Sequence, residues 1–375
     1  MNGRDGIAKV SMTLPVRVTM QDVARAAGVH QTTVSLALRN DLRLPAPTRQ
    51  RIREIAEQMG YRPDPMLAAL NFYRASRHAA KAPPTMAFLV NFRDREEMAA
   101  NHAHLDFLAG AQEQADHLGY RLEVFFVGHE PHEGRRLDRI LRTRNITGVI
   151  AAAFADSLIG FELDWSQYSA VLIDSQQLRL SLHTVANDQQ NITRQAIRRL
   201  RAAGFRRIGL VSGSLEETNL RNAFSAGYYV ETAQHSNLTS VPPLILSVRR
   251  NEEIATTVRD WVRAERVDVV ISNLNNIADA VRLAGLRVPQ DVQVATLDLS
   301  PAHGPRFGMR QNHRIVGQRA VEQLAILMRS HQRGFVEAPN TTLIDGFWVG
   351  KPERGDLPPA PNPPHRVRAG KLAKV

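Results

Sequence analysis

Gln31, Thr32 and Ser35 are the first residues of this chain whose types and spacing suggest a chemistry. They point away from the apolar side of a short helical stretch, and each offers small polar groups that can read a base edge. A Gln amide makes a paired hydrogen bond to adenine, and a Thr brings both a hydroxyl and a methyl. Such groups need an element that carries them into a major groove, and residues 19–40 have its pattern. Thr19 is an N-cap signal, with Asp22 three residues on as a variant of the capping box. Val23, Ala24 and Ala27 then share one face at helical spacing. Gly28 permits the left-handed backbone that ends the helix. Val29 and Val34 anchor the turn and a second helix, and the small Ala24 and Ala27 let the two helices cross closely. Taken alone, a surface helical hairpin with its polar residues facing water has the same pattern.

The segment that follows separates the two readings. A third helix is predicted over Pro47–Met59, with Ile52, Ile55, Ala56 and Met59 inward and Arg49, Arg51 and Arg53 outward. Asp64 followed by Pro65 is a helix start signal, a capping side chain and then Pro at the first helical position. About two turns can follow before Lys81-Ala82-Pro83-Pro84 breaks the chain, and a helix that short orders only against a partner.

Asp22-Val23-Ala24, Ala27-Gly28-Val29, Thr33-Val34-Ser35, Thr48-Arg49 and Gly60-Tyr61-Arg62-Pro63 all stand at the spacing of one known family. Residues 18–72 resemble the headpiece and hinge of the LacI/GalR (lactose-repressor) family of bacterial transcription regulators. The resemblance implies a DNA-facing set of Thr19, His30, Gln31, Thr32, Thr33, Ser35, Arg39, Arg62 and Leu70. Leu70 matches the hinge leucine that wedges into the minor groove at the operator centre; a core leucine of a short helix is the plainer reading. Such a wedge costs unstacking energy, offset by the closer contact that a kinked duplex allows. Two residues depart from the family pattern. Leu36 stands where many members carry a basic or polar residue, and His30 replaces the usual Ser cap of the recognition helix. Both bear on the preferred base sequence rather than on the act of binding DNA.

Charge is placed to match. Residues 1–80 hold 12 Lys/Arg against 6 Asp/Glu, residues 351–375 hold 6 against 2, and the span between is nearly neutral at 30 against 29. A basic head on a neutral body suits phosphate contacts by the head. The chain has 375 residues and no cysteine, which removes disulfides, Cys-based metal sites and thiol nucleophiles. No apolar run approaches the roughly 18 residues of a membrane span. Arg4, Asp5, Lys9 and Arg17 break any apolar core of a signal peptide, so a cytoplasmic protein with no membrane partner is expected.

From Thr85 onward, apolar runs of strand length alternate with amphipathic stretches of helix length. Strands are predicted at Met86–Val90, Leu122–Val127, Gly148–Ala152, Ala170–Ile173, Ile208–Val211, Leu244–Ser247, Val267–Ile271 and Val292–Leu297. Helices are predicted at Leu105–Leu118, Arg135–Arg144, Ile192–Ala203, Leu215–Ala233 (mostly helical), Glu252–Ala264, Ile277–Ala284 and Val316–Arg329. This alternation indicates parallel sheets with helices on both faces. A span of about 265 residues exceeds the comfortable size of one core, so two lobes with a ligand cleft between them are expected.

The body also resembles that family, whose ligand-binding part is similar to periplasmic sugar-binding proteins, with residues 203–210 and 285–292 as the clearest anchors. The resemblance implies that Asn187-Asp188, Asp298 and Gln311 line a cleft, while His313 stands where the family often has Pro or an aromatic, and Ser272-Asn273-Leu274-Asn275-Asn276 has Asn where Asn-Asp is common. Asp298 follows a strand at its carboxyl end, where a carboxylate can accept two hydroxyls of a polyol; each of these residues is equally open to being a loop residue or a cap. The family carries an effector-binding Arg three residues before the Gly equivalent to Gly227; this chain has Phe224 there, and Arg221, one turn earlier, is the substitute. The expected effector set is therefore Asn91, Asp188, Arg221, Phe224, Asn273, Asp298 and His313.

His102 with His104, and His129 with His132, are the histidine pairs that suggest metal ligands. Each lies in a polar stretch read as exposed and without a carboxylate partner, so no metal is expected. No cofactor motif and no catalytic constellation stands out. The basic, Pro-rich end lacks the leucine heptads of a tetramerising coiled coil and has the composition of a disordered tail.

The expected architecture is an N-terminal all-α helix-turn-helix headpiece with a hinge helix, followed by a two-lobed, periplasmic-binding-protein-like α/β domain with parallel sheets. Its parts are a disordered arm at 1–17, a headpiece at 18–63, a hinge helix at 64–73, a linker at 74–84, the two-lobed effector-binding and dimerisation domain at 85–350, and the tail at 351–375. The expected function is a homodimeric transcription regulator, most simply a repressor, that binds a pseudo-palindromic operator in double-stranded DNA and answers to a sugar-like small molecule. A solute-binding protein without a regulatory role, a regulator that has lost its ligand response, and a cytoplasmic sugar-processing enzyme are the rival classes.

Overall fold

The computed structural model describes residues 18–38, 41, 43–62, 83–128, 132–152, 161–174, 180–247, 251–299 and 307–351. The arm at 1–17, Arg39, the hinge at 64–73 with Leu70, most of the linker, His129 and the tail beyond Lys351 lie outside these residues. Two compact units separate, a helical one within residues 1–80 and an α/β one that takes up most of the chain from residue 81.

The helical unit holds α1 (Met20–Ala27), α2 (Gln31–Leu38) and α3 (Ala46–Gln58). Thr19 and Asp22 close the expected capping box, with Thr19 N–H donating to Asp22 Oδ2 at 2.9 Å. Gly28 takes φ 64°, and its N–H closes the helix on Ala24 and Arg25 carbonyls. Val23, Ala24, Ala27, Val34, Ala37, Ile52 and Ala56 form one buried cluster. Arg49 and Arg53 correct the expectation of an outward-facing pair. Arg49 Nη1 donates to Leu44 O at 2.6 Å and Arg53 Nε to Ala37 O at 3.3 Å, so both fold back onto backbone carbonyls, one at the end of α2 and one in the turn after it.

The α/β unit begins with β1 (Thr85–Val90), α4 (Arg95–Ala99), α5 (His102–His117), β2 (Arg121–Phe126), α6 (Glu133–Thr143), β3 (Gly148–Ala152), β4 (Ser169–Ile173) and β5 (His183–Asn187). It continues with α7 (Gln189–Ala202), β6 (Ile208–Gly213), α8 (Ser214–Asn219), α9 (Ala223–Ala233), β7 (Leu244–Leu246), α10 (Asn251–Ala264), β8 (Val269–Ser272), α11 (Ile277–Leu283) and β9 (Gln293–Thr296). It closes with β10 (Gly308–Arg310), α12 (His313–Arg329), β11 (Thr341–Ile344) and β12 (Phe347–Val349).

These strands form two sheets, ordered β11-β5-β4-β3-β1-β2 and β12-β10-β9-β8-β6-β7. Each contains the doubly wound order 2-1-3-4-5, which places a ligand site beyond the carboxyl ends of the strands. All ladders are parallel except β10 with β12, an antiparallel edge on the second sheet. Strands β5, β10, β11 and β12 go beyond the predicted set, since each is three to five residues long and short of an apolar run. The span predicted as mostly helical from Leu215 splits into α8 and α9, because Arg221 and Asn222 between them take positive φ.

The chain passes between lobes more than once. After α7 it enters the second sheet, yet α12 returns to pack Val316, Ala320, Val321 and Leu324 into the first lobe's core with Met86 and Phe88. Gly110 of α5 and Gly317 of α12 allow this return. A Cβ on Gly317 would strike the Phe107 carbonyl, and one on Gly110 the Arg314 carbonyl, so the two helices cross at backbone contact.

Candidate functional site

Two surfaces carry the expected residues. In the helical unit, Gln31 and Thr32 are exposed on α2, while Thr33 and Ser35 are half-buried on the same helix. Thr19, His30 and Arg62 are exposed too. His30 does what a Ser cap does, by a different atom. Its Nδ1 lies 3.4 Å from the Thr32 N–H, which donates to it, and 2.9 Å from Thr32 Oγ1. The imidazole thus satisfies a first-turn amide of α2 and engages the Thr32 hydroxyl, leaving Gln31 as the long polar side chain at the start of the helix.

In the α/β unit a cavity of about 370 Å³ opens where the strands of both sheets end. Asn91 follows β1, Asp174 follows β4, Gln189 follows β5, Asn273 follows β8, Asp298 follows β9 and Gln311 follows β10, and all six line it. Phe224, His313, Phe92, His102, His104 and Phe107 are also among its lining residues. Two of the expected effector residues are not among its lining. Asp188 instead caps α7, accepting the Asn191 N–H at 2.9 Å. Arg221 occupies the left-handed turn before α9 with an exposed side chain, so it does not replace the arginine that Phe224 displaces.

The polar centre of the cavity is a chain of buried groups. His313 Nε2 lies 2.9 Å from Asp298 Oδ1, and Asp298 Oδ2 lies 3.0 Å from His102 Nε2. Asn187 sets its Nδ2 3.0 Å from His313 Nδ1 and donates to Asp174 from both its backbone and side-chain nitrogens. Burial opposes the charge on Asp298, but the positive charge on His313 and the two adjoining imidazoles outweigh it, and its carboxyl falls well below the usual carboxylate range. Burial likewise opposes the charge on His313, yet the nearby Asp298 carboxylate raises its pKa. Asp174 is pushed the other way, upward, because burial outweighs His313 and the Asn187 donors.

Each Asp298 oxygen therefore has an imidazole nitrogen within 3.0 Å, a pairing the sequence did not reveal. His102 and His104 are corrected as well. They open α5 rather than an exposed loop, and His102 has a carboxylate beside it. The helix begins three residues before its predicted start at Leu105, with Asn101 as its cap through the His104 N–H. An Asn followed by a helical pattern was the sequence signal that would have found it.

Among the described residues the lining holds the carboxylates of Asp174, Glu216 and Asp298 and three imidazoles, and no Lys or Arg. Carboxamides from Asn91, Gln189, Asn273, Asn275 and Gln311 and the rings of Phe92, Phe107 and Phe224 make up much of the rest. Such a wall hydrogen-bonds hydroxyls and covers carbon faces.

Residues 19–64 match the family profile described as bacterial regulatory proteins, lacI family. The HTH-type transcriptional regulator DegA of Bacillus subtilis is 22% identical over 292 residues, covering 76% of this chain and 82% of that protein. The HTH-type transcriptional regulator PtxS of Pseudomonas plecoglossicida is 30% identical over 223 residues, covering 59% of this chain and 62% of its own length. Among solved structures, the lac repressor dimer bound to operator and the anti-inducer ONPF superposes with a TM-score of 0.54 at 19% identity, over 89% of this chain and 98% of that one.

Proposed function

Since this chain is a LacI/GalR-family transcription regulator, a DNA-binding protein with a helix-turn-helix head and a periplasmic-binding-protein-like body and not an enzyme, we propose that it acts as a repressor. In this reading a homodimer in the cytoplasm binds a pseudo-palindromic operator, each head reading one half-site through Gln31, Thr32 and Ser35. Thr19, His30, Thr33, Arg39 and Arg62 contribute at the edges, and Leu70 serves as the wedge between half-sites. The cavity receives a neutral, polyhydroxylated small molecule, and its occupancy sets operator affinity.

One observation carries the reading: Gln31 and Thr32 stand exposed at the start of a helix that is fixed at both neighbours, by the Gly28 turn and the His30 cap. That is the placement needed to aim polar side chains at base edges. A dimer supports it because two heads read twice the sequence that one can, and the lac repressor structure above is a dimer on its operator. Selection of genomic fragments on the full-length protein, followed by mobility shift at rising salt, tests it. A discrete palindromic site whose affinity falls steeply with salt is expected. Equal affinity for all fragments contradicts it.

A further inference from the structure

His102, Asp298 and His313 bring two imidazole nitrogens and a carboxylate within 4.8 Å of one another in the cavity wall. They come from three separate elements: His102 opens α5, Asp298 follows β9, and His313 opens α12. We propose that these three side chains bind a divalent first-row transition-metal ion, of the Zn²⁺ or Co²⁺ class, that leaves a coordination position open to the cavity.

The donor set favours that class. Imidazole with carboxylate suits zinc and its neighbours, and three protein ligands leave room for a water or a ligand oxygen. The ring geometry is close to what such an ion requires. At a metal–nitrogen distance of about 2 Å, two tetrahedral imidazoles have centroids about 5 Å apart. Here the His102 and His313 centroids are 5.6 Å apart, with the rings inclined at 68°.

Hydrogen bonding alone leaves His102 unsatisfied. Its Nε2 is buried and only 3.0 Å from Asp298 Oδ2, yet it is not aligned to donate there and has no other hydrogen-bond partner among the described residues. A shared cation lets both atoms aim at one point rather than at each other. His313 turns its Nε2 edge toward Asp298, with the Asn187 amide nitrogen 3.0 Å from its Nδ1 and Phe107 packed edge-on with centroids 4.9 Å apart. The two helix N-termini disfavour a cation, but the Asp298 carboxylate stands between the two imidazoles, and among the described residues no Lys or Arg lines the cavity.

Because His102 belongs to one lobe and Asp298 to the other, a metal there ties the lobes together. Resting on the reading of the cavity as the effector site, its open position also gives a hydroxyl-bearing effector a direct ligand bond.

Full-length protein freed of metal by chelator and titrated with Co²⁺ tests the site without any effector or operator. Expected are one equivalent of Co²⁺ per chain with the visible absorption of nitrogen- and oxygen-bound cobalt, and competition by Zn²⁺. His102→Ala and His102→Gln should each weaken binding at least tenfold. Zn²⁺ should raise the melting temperature of the parent chain and leave that of both variants unmoved. Absence of Co²⁺ binding below millimolar concentration, or binding undiminished in the two variants, overturns the site. Operator binding is read separately on the same samples, so a failed metal site and a failed regulatory reading give different results.

Discussion

A single imidazole, His30, shows how one residue can change a recognition element without dismantling it. Its ring nitrogen accepts the Thr32 N–H that a serine hydroxyl would otherwise accept. Replacing His30 with Ala should speed amide exchange in α2 about fivefold, in line with the typical cost of a lost cap. Replacing it with Ser should leave exchange nearly unchanged while altering which operator is preferred, because Thr32 Oγ1 then loses its imidazole partner. Exchange measured by mass spectrometry checks the first outcome, and selection of bound DNA the second. Gln31→Ala should lower affinity for the selected site by about 1–3 kcal/mol and leave nonspecific affinity within twofold, as expected when a base contact rather than a phosphate contact is removed.

Between elements, two contacts govern how the body holds its site. Helices α5 and α12 meet at Gly110 and Gly317, and these helices supply His102 and His313 from their first positions. Gly317→Ala places a methyl against the Phe107 carbonyl and should cost about 1–3 kcal/mol, seen as a lower urea midpoint at unchanged slope. A second contact joins α7 to α9. Glu231 is buried on α9 and accepts from Arg194 and Arg198 of α7 and from His235. Burial opposes its charge, but the hydrogen bonds from Arg198, His235 and Arg194 prevail and hold its pKa at about 2, below the ordinary 4.5. A depressed folded-state pKa stabilises the fold above the ordinary value and loses that effect as pH falls toward the folded one. Glu231→Gln should therefore cost about 1–2 kcal/mol at neutral pH, since both arginines are partly exposed. The difference from the parent chain should shrink as pH drops from 4.5 toward 2, which melting curves across that range would show.

Across the whole molecule, legibility in the sequence followed burial and length. The first three helices and the long buried strands were readable, because capping residues and apolar runs are local signals. Strand β11 was not, since Thr341-Thr342-Leu343-Ile344 is an exposed edge that gains its identity only by pairing with β5. The cavity was half legible. Asp298 and Gln311 line it as the family resemblance implies, whereas Asp188 serves as a helix cap. His102 was read as exposed and without a carboxylate because its partner is Asp298, remote in sequence and on the other lobe. No local pattern encodes a pairing of that kind.

The central claim is that the exposed face of α2 reads DNA and that the cavity controls it. Mobility shift of the full-length protein on its selected genomic site, with and without a panel of neutral polyols and sugars, measures both at once. The account predicts a salt-sensitive, sequence-specific complex whose affinity one ligand class changes by roughly 5–150-fold, the range of ordinary allosteric coupling. A protein that binds those ligands but shows no sequence preference on any fragment would contradict it.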